Sequence, residues 1–200
     1  ATSATVLRNP EFLMLALAAA TNFSSIASYI GSAPAIVEKH WGGSETSYYW
    51  LFLPVISGIL SGAILSTLFA RRFPLIVQIR MGLGITCAAA ILRAVLHSTL
   101  YDVPMHLQQA LLFASAIGAQ FAFPVLTLQM LDLFPAARGT ASAAQSFVAL
   151  LITAFTLGIV APHVSWNLGV LAWTSFGYTV LAWTAWYFAR RWHRGPAIPA

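Results

Sequence analysis

Amide, hydroxyl and aromatic side chains recur at helical spacing inside stretches that otherwise hold only apolar residues. Asn22, Ser25, Tyr29 and Ser32 follow at steps of three, four and three, which places them on one face of a helix. Phe113, Gln120 and Thr127 repeat at intervals of seven with Phe123 beside them and form a second stripe. Ser142, Gln145, Ser146, Ala149, Thr153 and Thr156 make a third, narrow face of polar and small residues. Such stripes suit interhelical hydrogen bonds, worth about 1 kcal/mol or less each, and that reading fits the small residues of the third. Amides and aromatics together at mid-span, as at Asn22, Tyr29, Gln120 and Phe123, suit a pocket: apolar walls with a few polar groups that orient a bound molecule.

The elements that carry these stripes are membrane spans. The chain is 59% hydrophobic and only 8% charged, against roughly a quarter charged in a soluble domain. A spanning helix needs about 20 apolar residues, and the sequence supplies six such stretches, near residues 10–36, 46–70, 75–97, 105–131, 139–161 and 168–189. The expected fold is an all-α membrane protein of six transmembrane helices, grouped three and three as inverted repeats require. The first helix of each triplet is expected to break late, at Gly31 and Pro34 in one and at Gly118 and Pro124 in the other. The third stretch contains Arg80 and Arg93; snorkelling of each to its own interface restores a full span. In the second, Ser57, Gly58, Ser61 and Gly62 set up small-xxx-small pairs for close helix packing.

Charge orients the bundle. Arg8, Arg71, Arg72, Arg80, Arg138, Arg190, Arg191 and Arg194 fall on the side of the termini, and only Lys39 and Arg93 on the other. The positive-inside bias then makes both termini cytoplasmic, and the formal charge of +5 reads as attraction to anionic membrane lipid. No basic stripe interleaved with aromatics points to nucleic acid. Asn9, Pro10 and Glu11 form a helix start, and Trp183, Trp186, Tyr187 and Trp192 an aromatic belt before the final arginines. No Asp or Glu lies at mid-span, so a proton relay would draw its acid from elsewhere.

Other signals carry no chemistry. Asn22-Phe23-Ser24 matches a glycosylation sequon but lies at membrane depth. Cys87 is the lone cysteine and reads as packing. The first stretch is too long and too polar for a signal peptide. A serine hydrolase built on Ser57 or Ser61 would need glycine at position 55, where Val55 stands, and a histidine at depth; His40, His97, His106 and His163 cluster near the opposite interface. Those histidines show no metal-ligand spacing. Neither covalent chemistry nor a cofactor or metal is expected.

One stretch resembles a known family. Leu131-Asp132-Leu133-Phe134-Pro135-Ala136-Ala137-Arg138-Gly139-Thr140-Ala141-Ser142 is similar to the loop between helices ten and eleven of the major facilitator superfamily, and most resembles its bacterial drug:proton antiporters of the bicyclomycin and chloramphenicol resistance type. Asn22 to Pro34, ending Tyr29-Ile30-Gly31-Ser32-Ala33-Pro34, resembles the seventh helix of that family, and Gly62 to Arg72 its eighth helix and the basic turn after it. The resemblance implies the C-terminal half of a twelve-helix fold in the bacterial inner membrane. Its partner would be an N-terminal six-helix half, carrying the proton-exchanging acid, and its substrate a small-molecule drug. The first, fourth and fifth helices would line half a cavity, with Asn22, Ser25, Tyr29, Gln120, Phe123 and Gln145 in contact with substrate. Arg71, Arg72, Asp132 and Arg138 would form a cytoplasmic charge cluster that holds one state closed, although ordinary helix-end charges give the same pattern. The chain opens on Ala rather than Met, as a fragment or processed chain would. A membrane module that binds a partner protein without transport is the other reading.

Overall fold

The computed structural model describes residues 3–100 and 102–193, and every regular element among them is helical. A short helix α1 (Ser3–Leu7) leads into α2 (Pro10–Gly31), where the Asn9 side chain accepts the Phe12 amide at 3.0 Å and Pro10 opens the first turn. A π-helical turn, Ala35–His40, and a 3-10 turn, Glu45–Tyr48, connect to α3 (Tyr49–Phe69). Next come α4 (Leu75–Thr99) and α5 (Met105–Asp132). The helix α6 (Arg138–Phe155) runs through a second π-helical turn, Thr156–Val160, into the single turn α7 (Ala161–Val164), and α8 (Leu168–His193) ends the described chain.

Five segments are long and apolar enough to cross a membrane: Pro10–Gly31, Thr46–Phe69, Leu75–Thr99, Met105–Asp132 and Pro135–Val164, as a multi-pass membrane protein requires. The sixth expected stretch is a 26-residue helix, α8, whose Thr, Ser, Trp and Tyr content leaves it less apolar than those five.

The core has two layers. At the end where the described chain begins and finishes, Val6 and Phe12 pack with Ile79, Leu83, Met130 and Trp186. At the opposite end Ile26, Tyr29 and Ile36 pack with Leu51, Leu112 and Leu171. The hub is α2, which touches α8, α5 and α6; 72% of its apolar window is buried, against 11% for Pro135–Val164.

Glycines set how closely the helices approach. A Cβ added at Gly58 would lie 2.6 Å from the Phe113 carbonyl oxygen, and one at Gly62 2.5 Å from that of Ile117. The small residues of α3 therefore do seat it on α5. An equivalent seam, not anticipated from the sequence, joins α4 to α5 through Gly82 and Gly118.

Three expectations are corrected. The first span does end at Gly31, but α5 runs unbroken through Gly118 and Pro124, so the matching late breaks of the two triplets are absent. Gly118 is a packing contact against Thr86, and a proline inside a membrane helix is tolerated because neighbouring groups satisfy the freed carbonyl. Arg80 is exposed and reaches the surface, its guanidinium 5.8 Å from the Trp186 ring. Arg93 does not snorkel: it is 1% exposed. Nor is the aromatic belt uniform, for Trp186 is buried and Trp183 donates inward to the Leu83 carbonyl, while Tyr187 faces out; the Trp192 side chain and Arg194 lie outside the described residues.

Candidate functional site

Asn22, Ser25 and Tyr29 share a face of α2, as their spacing predicts, and that face is turned into the bundle: the three are 2%, 0% and 3% exposed. The Ser25 hydroxyl donates to the Asn22 carbonyl at 3.0 Å, and the Ser25 carbonyl accepts the Ser175 hydroxyl of α8 at 2.8 Å. The stripe is thereby clamped against the last helix. Several of its polar atoms have no partner among the described residues: Asn22 Oδ1, Ser24 Oγ, the Tyr29 hydroxyl and Ser32 Oγ. Buried polar groups in hydrocarbon are normally paired, because an orphaned one costs several kcal/mol.

Arg93 sits against this stripe. Its Nη2 donates to the Ser175 hydroxyl at 3.0 Å, and its guanidinium carbon lies 4.1 Å from the centre of the Tyr29 ring, a cation–π contact shielded from water. Its Nε and Nη1 have no partner among the described residues. Sequence reading missed this residue because it stands near a helix end, where an arginine ordinarily reaches water. One signal was present: Arg93 and His97 are four apart and share a face of α4.

The remaining predicted contacts lie on other helices. Gln145 is buried and its amide nitrogen donates to the Thr127 hydroxyl at 2.7 Å, linking α6 to α5. Gln120 is half-buried and its stem packs beside Gly62, whereas Phe123 packs against the core layer at the termini. The third stripe divides: Gln145 and Thr156 face inward and Ser142 and Ser146 outward. Of the charge cluster, Asp132 and Arg138 form an ion pair at 2.8 Å with both side chains more than half exposed. Arg71 and Arg72 are exposed at the turn after α3 and make no side-chain ion pair or hydrogen bond with described residues. Ser57 and Ser61 donate back to carbonyls of their own helix.

A cavity of about 740 Å³ opens at the end opposite the termini. Lys39, His40, Trp41, His97, Gln108 and Trp166 are among its walls. A smaller hollow of about 340 Å³, with Glu11, Gln129, Asp132 and Arg190 on its rim, opens at the other end. None of Asn22, Ser25, Tyr29, Gln120, Phe123 or Gln145 lines either one. No group of three metal-ligating side chains assembles among the described residues. No known protein family and no curated protein matches the chain.

Proposed function

We propose that the chain is the C-terminal six-helix half of a secondary active multidrug transporter of the bacterial inner membrane, resembling the major facilitator drug:proton antiporters. It would move amphipathic small molecules by alternating access against an N-terminal six-helix half. One observation carries the reading: orphaned polar atoms line the hub helix at membrane depth, at Asn22, Ser24, Tyr29 and Ser32. A passive anchor gains nothing from groups that hydrocarbon penalises, whereas a helix that exposes them to cargo in another state does.

Other features support the same reading. The segment Pro135–Val164 is almost wholly uncovered, which leaves a lateral surface for a second half. At about 1.5 Å per residue the 26 residues of α8 also reach across the bilayer, completing six spans with both ends on one side. The arginines concentrated there make that side cytoplasmic. Proton coupling would run through an acid of the other half. The exposed Asp132–Arg138 pair, with Arg71 and Arg72 nearby in the topology, would close the cytoplasmic side; Asp132→Asn should then lower transport without lowering membrane insertion.

Co-expression with the N-terminal half of a drug antiporter of this type, followed by ethidium efflux from energised cells, tests the proposal. Efflux above that of either half alone supports it; no efflux, with both halves inserted and co-purifying, removes it. The broad apolar surface of Leu150, Leu151 and Phe155 favours a second reading, a module that docks a partner protein and carries nothing. Saturable ethidium binding by the purified chain would count against that reading.

A further inference from the structure

The cavity at the far end and the buried arginine below it belong to one electrostatic unit. Arg93 is a full positive charge, 1% exposed, whose side-chain contacts with the described residues are neutral: the Ser175 hydroxyl and the Tyr29 ring. A charge held away from water in this way demands an opposite charge or a strong acceptor nearby. One helical turn further along α4 stands His97, on the same face, and it forms part of the cavity wall. Its Nε2 is buried without a partner among the described residues. Lys39 and His40 stand on that wall as well, and the Nε2–H of His40 donates to the Ser165 carbonyl at 3.1 Å, which fixes the ring.

Asp102 is the cavity's single carboxylate among the described lining residues; it is exposed and forms no ion pair with Lys39 or Arg93. The walls are held rigid from within, since Trp41 Nε1 donates to Gln108 Oε1 at 3.3 Å and Gln108 Nε2 to the Val103 carbonyl at 2.7 Å. Trp41 and Trp166 add aromatic surface. The Lys39 ammonium, the buried Arg93 cation one turn behind His97 and the indole faces together select an organic anion with an apolar body.

We propose that this cavity is a binding site for a small aromatic or aliphatic carboxylate, its charge met by Lys39 beside His97 over the field of Arg93 and its body laid against Trp41 and Trp166. The site is separate from the α2 stripe and stands whether or not the chain transports drugs.

Calorimetric titration of the purified chain with sodium benzoate tests it, with benzamide as the neutral isostere. Benzoate should bind saturably and at least about tenfold more tightly than benzamide, the difference made by one charge among partly desolvated donors. Lys39→Gln and His97→Gln should each weaken benzoate about fivefold and leave benzamide unchanged. Arg93→Lys, which keeps the charge, should retain binding, and Arg93→Leu should lose it while far-UV circular dichroism stays that of the parent. Should Arg93→Leu fail to fold, the Lys39 and His97 variants still decide. Equal affinity for benzoate and benzamide, or undiminished benzoate binding by Lys39→Gln/His97→Gln, overturns the proposal.

Discussion

Two glycines a half-turn apart on α4 should respond to the same substitution with opposite signs. A Cβ on Gly82 would lie 2.7 Å from the Ala122 Cβ, 2.8 Å from the Ala122 amide nitrogen and 2.8 Å from the Gly118 carbonyl oxygen; a Cβ on Gly84 would meet nothing within 4 Å. Two of the three obstacles at Gly82 are backbone, so no rotamer change relieves them, and α4 and α5 must part to restore van der Waals distance. Overpacking of that kind costs about 1–3 kcal/mol. Replacing a helical glycine by alanine gains roughly 0.5–1 kcal/mol at either position through backbone entropy, and that gain cancels when the two variants are compared. Gly82→Ala should therefore be less stable than Gly84→Ala by about 1–3 kcal/mol. Reversible unfolding in mixed micelles with rising dodecyl sulfate, followed by tryptophan fluorescence, measures the difference. Equal midpoints, or a more stable Gly82→Ala, would refute the close α4–α5 seam.

Further outcomes follow from other contacts. At Gly31 the obstacle is the tip of Leu157, at 2.7 Å, with the Ala161 methyl at 3.0 Å; a side-chain tip can swing away, so Gly31→Ala should cost less than Gly82→Ala in the same micelle assay. Thr127→Val removes the acceptor of the Gln145 amide and should destabilise by about 0.6 kcal/mol, the average for hydrogen bonds between membrane helices; the double variant with Gln145→Leu should recover part of that loss. Arg138→Ala breaks an exposed ion pair and should change stability by less than about 1 kcal/mol, an effect that disappears in high salt; a larger, salt-independent loss would mean that the pair is covered by something else.

The sequence reveals this fold unevenly, and particular residues show why. Apolar length gives five spans directly, and the Asn9-Pro10-Glu11 start and the seating of Gly58 and Gly62 are read correctly because each depends on neighbours three or four residues away. The spacing of Asn22, Ser25 and Tyr29 correctly puts them on one face, but the direction of that face is invisible: Thr21, Ser24 and Ser28 spread further hydroxyls around α2, so no pattern separates the side that meets lipid from the side that meets protein. Arg93 is misread for a related reason. Its surroundings come from Tyr29 and from Ser175, 82 residues away, and position along a helix cannot report such partners. The cavity is illegible for the same cause, being assembled from the ends of three separate helices, α4, α5 and α8, and from turns between helices.

The π-helical turn Ala35–His40 has a consequence for how the two polar regions are specified. Such a turn accommodates an extra residue per loop, and each added residue moves later side chains by about 100° around the axis. The facing of Lys39 and His40 toward the rim is consequently decoupled from the facing of Asn22, Ser25 and Tyr29 below it. Loss of a single residue from this turn would swing Lys39 and His40 away from His97 while the deeper stripe kept its bearing, so the two regions can be tuned by separate changes even though one continuous segment carries both.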